Sequence, residues 1–181
     1  VGEVMGIGRS FEEALNKAMR SLENGRTGLV SQEAAKADDR ELNRRLSVPT
    51  ADRIYYIAEA LRRGMTVAEI NELTDIDRLF LTYLERIVDL ERRIAEVELQ
   101  GLGEKLMREA KRLGISDGTI AELTGATEPE VREARKALGV TPVFKKVDTC
   151  AGMQESASEY AYKTYDEISE FAPAEKPRAL I

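Results

Sequence analysis

Asp148-Thr149-Cys150 is where a nucleophile would be sought first, because Cys150 is the only cysteine in the sequence. A cysteine attacks as its thiolate, and a nearby base or positive charge must favour that form. The sequence has no histidine, so Lys145 and Lys146 are the close bases, and a half-buried structural thiol is the expectation. Lack of histidine also removes the commonest general base, proton shuttle and zinc ligand. With one cysteine, no Cys/His metal set can be assembled. Gly6-Ile7-Gly8 could suggest a phosphate cradle, but a third glycine is missing and Glu12 and Glu13 follow in the first turn of the next helix. Carboxylates there repel phosphate. Tyr160, Tyr162 and Tyr165 in YAYKTY read as strand packing rather than a stacking platform. The acidic residues spread over helix faces, with no pair spaced for acid–base work. The expected catalytic, cofactor-binding and metal residues are therefore none.

One signal is sharper. Residues 62–81, RRGMTVAEINELTDIDRLFL, and 111–131, KRLGISDGTIAELTGATEPEV, repeat at an offset of 50. Gly64 meets Gly114, Thr66 meets Ser116, Ile70 meets Ile120, Glu72-Leu73-Thr74 meets Glu122-Leu123-Thr124, and Leu81 meets Val131. Each copy reads as a helix–turn–helix hairpin. A DNA reader places Arg, Lys, Asn, Gln or Ser at the start of its second helix. The first copy offers Asp77, Arg78, Leu79, Phe80 and Leu81, whose apolar members cannot hydrogen-bond base edges. The second offers Thr127, Glu128, Glu130, Arg132 and Glu133, where carboxylates would oppose phosphates. A DNA-binding regulator is the alternative reading, and a packing hairpin is the one preferred.

The elements that carry these residues follow from spacing and punctuation. Ser10-Phe11-Glu12-Glu13 is a capping box, with Glu13 expected to reach back to Ser10. Phe11, Ala14, Leu15, Ala18, Met19 and Leu22 follow at helical spacing, and Gly25 stops the helix. Residues 26–37 read as loop and 38–46 as a short charged helix broken by Val48-Pro49. Thr50 is expected to cap a helix carrying Ile54, Ile57, Ala58 and Leu61. Thr66 caps a short helix through Leu73. The longest element runs from Asp77 to about Glu98. Its apolar residues, from Leu79 to Val97, cover an arc of roughly 200° at ~100° per residue, interrupted by Glu91 and Glu98. A helix facing one core needs about half that arc, so this one is expected to pack on two sides. Gly101 and Gly103 break the chain. Helices then follow around Leu106–Leu113, Ser116–Thr124 and Glu128–Leu138, with Pro129 tolerated in a first turn. Val143–Val147 and YAYKTY are β-like, with a polar stretch, 152–159, between them, and 171–178 is a Pro-containing linker. The fold class expected is mainly α: two related helix-hairpin units around a long central helix, with short extended flanks.

At 181 residues, 33% charged and 43% hydrophobic, the chain suits a helix-rich globule able to bury a core. A net charge of −6 opposes non-specific binding to nucleic acid or anionic membrane. No apolar run approaches the ~20 residues of a membrane span. A lone cysteine fits a reducing cytoplasm. The start on Val1 and the hydrophobic end, Leu180-Ile181, suggest a piece of a longer protein.

VGEVMGIGRSFEEALNKAMRSLE resembles the closing segment of the first synthetase half of the carbamoyl-phosphate synthetase large chain. ADRIYYIAEALRRGMTVAEINELTDIDRLFL resembles that family's helical oligomerisation domain. VFKKVDTCA, YAYKTY and KPRALI are similar to the segment leading into the second half. Two departures stand out: Ala151-Gly152-Met153-Gln154 where the family runs Ala-Ala-Glu-Phe, and Leu79 where it commonly has tryptophan. The resemblance implies three parts: 1–30 closing the first half, 31–142 the oligomerisation domain, and 143–181 the connector. It implies a non-catalytic, structural part of a glutamine-hydrolysing, ATP-dependent ligase. That parent makes carbamoyl phosphate from bicarbonate, ammonia and two ATP for arginine and pyrimidine synthesis. Its ATP and its magnesium or manganese would be bound by the two synthetase halves. The implied partners are those halves, a glutaminase small chain that supplies ammonia, and a second copy of the chain; nucleic acid and membrane are not among them.

Overall fold

The computed structural model describes residues 3–148, 150, 152–154 and 160–171. Thr149, most of the polar stretch between the β-like segments, nearly all of the 171–178 linker and the hydrophobic end, Leu180-Ile181, lie outside them. The described residues form nine α-helices and a two-stranded antiparallel sheet.

Two three-helix units carry the duplication. The first is α4 (Arg53–Arg62), α5 (Val67–Thr74) and α6 (Arg78–Ala95). The second is α7 (Glu104–Arg112), α8 (Asp117–Thr124) and α9 (Glu128–Ala137). The offset of 50 is kept to the residue at both ends of α5 and α8 and at the starts of α6 and α9. Thr66 and Ser116 cap their helices by accepting from the N–H three residues on. Asp75 and Gly125 close them in left-handed conformation. Thr74 and Thr124 each donate back to the carbonyl of Ile70 or Ile120, at 2.7 and 2.8 Å. The same local chemistry thus builds the same turn twice.

α6 is the shared beam, about 27 Å long at 1.5 Å per residue. Its Leu81, Leu84, Ile87 and Val88 enter a first core with Leu42, Leu46, Tyr55, Tyr56, Ile57 and Ile70. Its Leu90 and Ile94 enter a second, with Met107, Ile115, Ile120 and Val131. The wide apolar arc is explained: one helix serves two cores. It ends at Ala95, not Glu98; a 3-10 turn, Leu99–Gly101, follows.

Three local readings are corrected. The 26–37 segment is not all loop: Ser31 caps α2 (Gln32–Lys36) through the Ala34 N–H. Leu29 is fully buried beside it. Thr50 does not cap α4. Asp52 is its N-cap residue, and the Thr50 hydroxyl donates to the Asp52 carboxylate at 2.5 Å. In α1 (Phe11–Ser21), Ser10 accepts from the Glu13 N–H as expected, but the Glu13 carboxylate accepts from the Arg9 N–H rather than that of Ser10. α1 buries Glu12, Glu13 and Asn16 along with Met19, whereas Leu22 is exposed. Its apolar periodicity did not indicate this face, because α1 docks through polar groups on another unit's backbone. The charged helix at 38–46 is α3 (Asp39–Ser47), capped by Asp38.

The flanks meet at the second unit. β1 (Val143–Lys146) pairs antiparallel with β2 (Ala161–Thr164), Val143 opposite Thr164. Asn16 Nδ2 donates to the Leu113 carbonyl at 2.8 Å, and Arg20 to that of Gly114 at 2.5 Å. Lys17 donates to the carbonyls of Ile7, at 2.7 Å, and Lys163, at 2.6 Å. Arg9 pairs with Asp166. The segment entering the helical units and the segment leaving them are thus tied to each other.

Candidate functional site

Glu91 sits at the waist of α6, between the two cores, and is 2% exposed. Arg62, at the end of α4, donates to its Oε2 at 2.5 Å, while Oε1 has no hydrogen-bond partner. Burial raises the Glu91 carboxyl pKa; the charge and hydrogen bond of Arg62 pull it back, and Glu122 pushes it up again. A cleft of about 230 Å³ lies beside the pair, lined by Leu61 and Arg62 from the first unit and Leu123 from the second. A carboxyl whose folded pKa is raised contributes most below its unfolded value of about 4.3 and loses that contribution as pH rises through the folded value. Glu91→Gln cannot titrate. The unfolding free energy of the variant minus that of the parent should therefore grow from pH 4 towards neutrality, as measured by chemical denaturation at several pH values.

The second unit holds a denser charge cluster. Asp117 Oδ1 accepts from Lys111 Nζ at 2.8 Å, and Asp117 Oδ2 accepts from Arg135 Nη2 at 3.0 Å. All three residues are under 9% exposed. Lys111 also donates to the Ile115 carbonyl, at 2.7 Å, and Arg135 to that of Val140, at 2.9 Å. Burial pulls the Lys111 ammonium down to about 8 against the opposing pull of Asp117. Burial pushes the Asp117 carboxyl up, but its two cationic partners outweigh that and leave it low. Tyr165, just after β2, lies over both cations, with Lys111 Nζ 5.2 Å and Arg135 Cζ 5.5 Å from its ring centre. The equivalents of Lys111 and Asp117 in the first unit are Leu61 and Val67. Asp117 stands in the first turn of α8, and its two buried partners come from two other elements, α7 and α9.

The first unit has an apolar corner instead. Leu79 is 55% and Phe80 45% exposed at the start of α6. The Phe11 ring lies 5.3 Å from that of Phe80 and 5.1 Å from that of Tyr83. Neither hairpin suits a nucleic acid. Leu79 and Phe80 stand exposed where bases would be read, and Glu128, Glu130 and Glu133 stand exposed at the start of α9. Phosphate contacts supply much of such binding, and carboxylates oppose them.

The other sequence candidates lie in the entering segment and in the flank that follows the second unit. A Cβ on Gly6 would stand 2.1 Å from the Ala14 carbonyl oxygen, so this glycine lets the chain lie against α1. With Glu13 occupying the Arg9 N–H, this helix start does not fit a nucleotide phosphate. Asp148 organises a turn by accepting from the N–H groups of Cys150 and Gly152, and the Cys150 sulfur accepts from Gln154 at 3.5 Å. Lys145 is paired with Asp166 and Glu170, and Lys146 lies over Phe171, so each of the two close bases has another partner. The reading of the three tyrosines as strand packing is corrected: Tyr162 lies in β2, Tyr165 packs on the charge cluster just after it, and Tyr160 precedes the strand and is 79% exposed. Among the described residues no group of three or more His, Cys, Asp or Glu could hold a metal ion. No helix among them is long and apolar enough to cross a membrane.

Residues 3–139 match the family model described as carbamoyl-phosphate synthetase large chain, oligomerisation domain. The chain is 45% identical over 182 residues to the carbamoyl phosphate synthase large chain of Nostoc sp., covering 100% of itself and 16% of that protein. It is 49% identical over 166 residues to the carbamoyl phosphate synthase large chain, N-terminal section, of Aquifex aeolicus, covering 92% of itself and 29% of that protein. The chain therefore spans less than a third of the length of these relatives. With 137 consecutive residues matched, from 3 to 139, and the duplicated units and shared α6 lying within them, the chain belongs to the carbamoyl-phosphate synthetase large-chain oligomerisation domain family.

Proposed function

We propose that this chain is the non-catalytic helical joint of a large chain that makes carbamoyl phosphate from bicarbonate, glutamine-derived ammonia and two ATP. In this reading residues 1–30 close the first synthetase half, 31–142 form the joint, and 143–181 lead into the second half. ATP and its magnesium or manganese belong to those halves. No residue of this chain is assigned to catalysis, cofactor or metal. The partners are the two halves, a glutaminase small chain and a second copy, in the cytoplasm, and the product serves arginine and pyrimidine synthesis.

One observation carries the reading. The entering segment and the leaving segment are both seated on the second unit, through Asn16 and Arg20 on one side and Tyr165 on the other. They are also bridged directly by Lys17 and by the Arg9–Asp166 pair. A segment so tied sets the relative placement of whatever precedes and follows it. Two measurements on the chain test the reading. Titration calorimetry with Mg-ATP should give no binding heat, and a saturable heat would remove the non-catalytic assignment. Sedimentation velocity should show association that grows with concentration; a monomer at the highest attainable concentration would remove the second copy from the partners.

A further inference from the structure

The duplication supplies an internal control for the apolar corner. Leu81 and its equivalent Val131 are both fully buried, so the hairpin needs an apolar residue there. The preceding and following positions are different. Leu79, Phe80 and Tyr83 of the first unit correspond to Pro129, Glu130 and Glu133 of the second. The second unit folds the same turn with exposed charge at Glu130 and Glu133, so exposed apolar groups are not required by the hairpin. Leu79 at 55% and Phe80 at 45% exposure belong to a cluster that Phe11 covers only in part, and water disfavours the apolar surface left open.

We infer that this corner is a docking surface for the preceding part of the same large chain, an inference that rests on the proposed function. Phe11, which stacks against the corner, belongs to α1, the first helix after the entering segment. That segment also exposes apolar side chains: Val4 at 42%, Met5 at 81% and Ile7 at 39%. The chain covers 16% of the Nostoc relative, so in a protein of that length most of the mass lies outside the residues described. A two-fold contact with a second copy is less favoured. Arg78 and Arg86 flank the corner, Arg86 lying 5.4 Å over the Tyr83 ring, and such a contact would bring guanidinium groups towards their own copies.

Thiol footprinting resolved by mass spectrometry tests this. Leu79→Cys is introduced into the 181-residue chain and into the full-length large chain, with Glu133→Cys, on the second unit, as the control. A thiol at 79 should react at least about tenfold more slowly in the full-length chain, because reactivity follows exposure, while one at 133 should react alike in both. Equal reactivity of residue 79 in the two proteins would overturn the inference. So would equal protection at 133, and so would protection of residue 79 in the 181-residue chain that grows with its concentration, which would identify a second copy as the occupant. Assay of carbamoyl phosphate formation by the full-length protein distinguishes failure of the functional reading from failure of this one.

Discussion

Gly114→Ala should destabilise the chain far more than Gly64→Ala, although the two glycines are equivalent in the repeat. Both are left-handed, with φ of +79° and +87°, and an L-residue there costs about 1–2 kcal/mol. At Gly64 that is the whole effect, because a Cβ would meet nothing within 4 Å. At Gly114 a Cβ would stand 2.9 Å from the Glu13 carbonyl oxygen and 3.0 Å from the Glu13 Cα. Both are backbone atoms of α1, so no side chain can swing aside. Overpacking of this kind adds about 1–3 kcal/mol, for a total of roughly 2–5 kcal/mol. Relief requires α1 to lift, which breaks the Asn16 bond to Leu113 and the Arg20 bond to Gly114. Denaturant titration gives the difference between the two variants. Hydrogen exchange locates it: α1 amides should lose protection in Gly114→Ala and keep it in Gly64→Ala. Equal losses in both variants would mean that α1 is not seated on the second unit.

Asp117→Ala should cost about 3–5 kcal/mol, the range for removing one partner of a buried ion pair. It leaves the buried cations Lys111 and Arg135 without the carboxylate that accepts from both. The three groups need not be worth much together, since burying charge carries a heavy desolvation cost. The first unit demonstrates the alternative, with Leu61 and Val67 in place of Lys111 and Asp117. The triple variant Lys111→Leu, Asp117→Val, Arg135→Met should therefore recover most of the loss, to within about 1 kcal/mol of the parent. Thermal and denaturant unfolding of the single and triple variants make the comparison. A triple variant no more stable than the single one would show that the cluster is itself a net source of stability. Tyr165 should be released in both variants, because the cations beneath its ring are lost or unpaired, and its near-ultraviolet circular dichroism should report this.

Much of the fold was legible in the chain itself. The duplication appeared as an offset of 50, and every cap it implied in α5 and α8 is present. The two-sided packing of α6 was readable from the width of its apolar arc. The β-like flanks were readable from Val143–Val147 and YAYKTY, and family membership from the order of the segments. These features rest on interactions between residues a few positions apart, or on periodicity within one helix. The misreadings were local as well: α2 is five residues long, too short for periodicity to register, and the helix expected to be capped by Thr50 begins two residues later, after Asp52.

Burial of charge was decided elsewhere. Glu91 interrupted an apolar arc in sequence, yet Arg62, 29 residues earlier, donates to it in the interior. Asp117, in the first turn of α8, is buried because Arg135, 18 residues on, donates to it. The polar face of α1 is buried because Asn16 finds a carbonyl 97 residues away. Periodicity and capping are written along the chain because their partners lie within one or two turns. Whether a carboxylate or amide can leave water depends on donors and acceptors that only tertiary packing brings within about 3 Å.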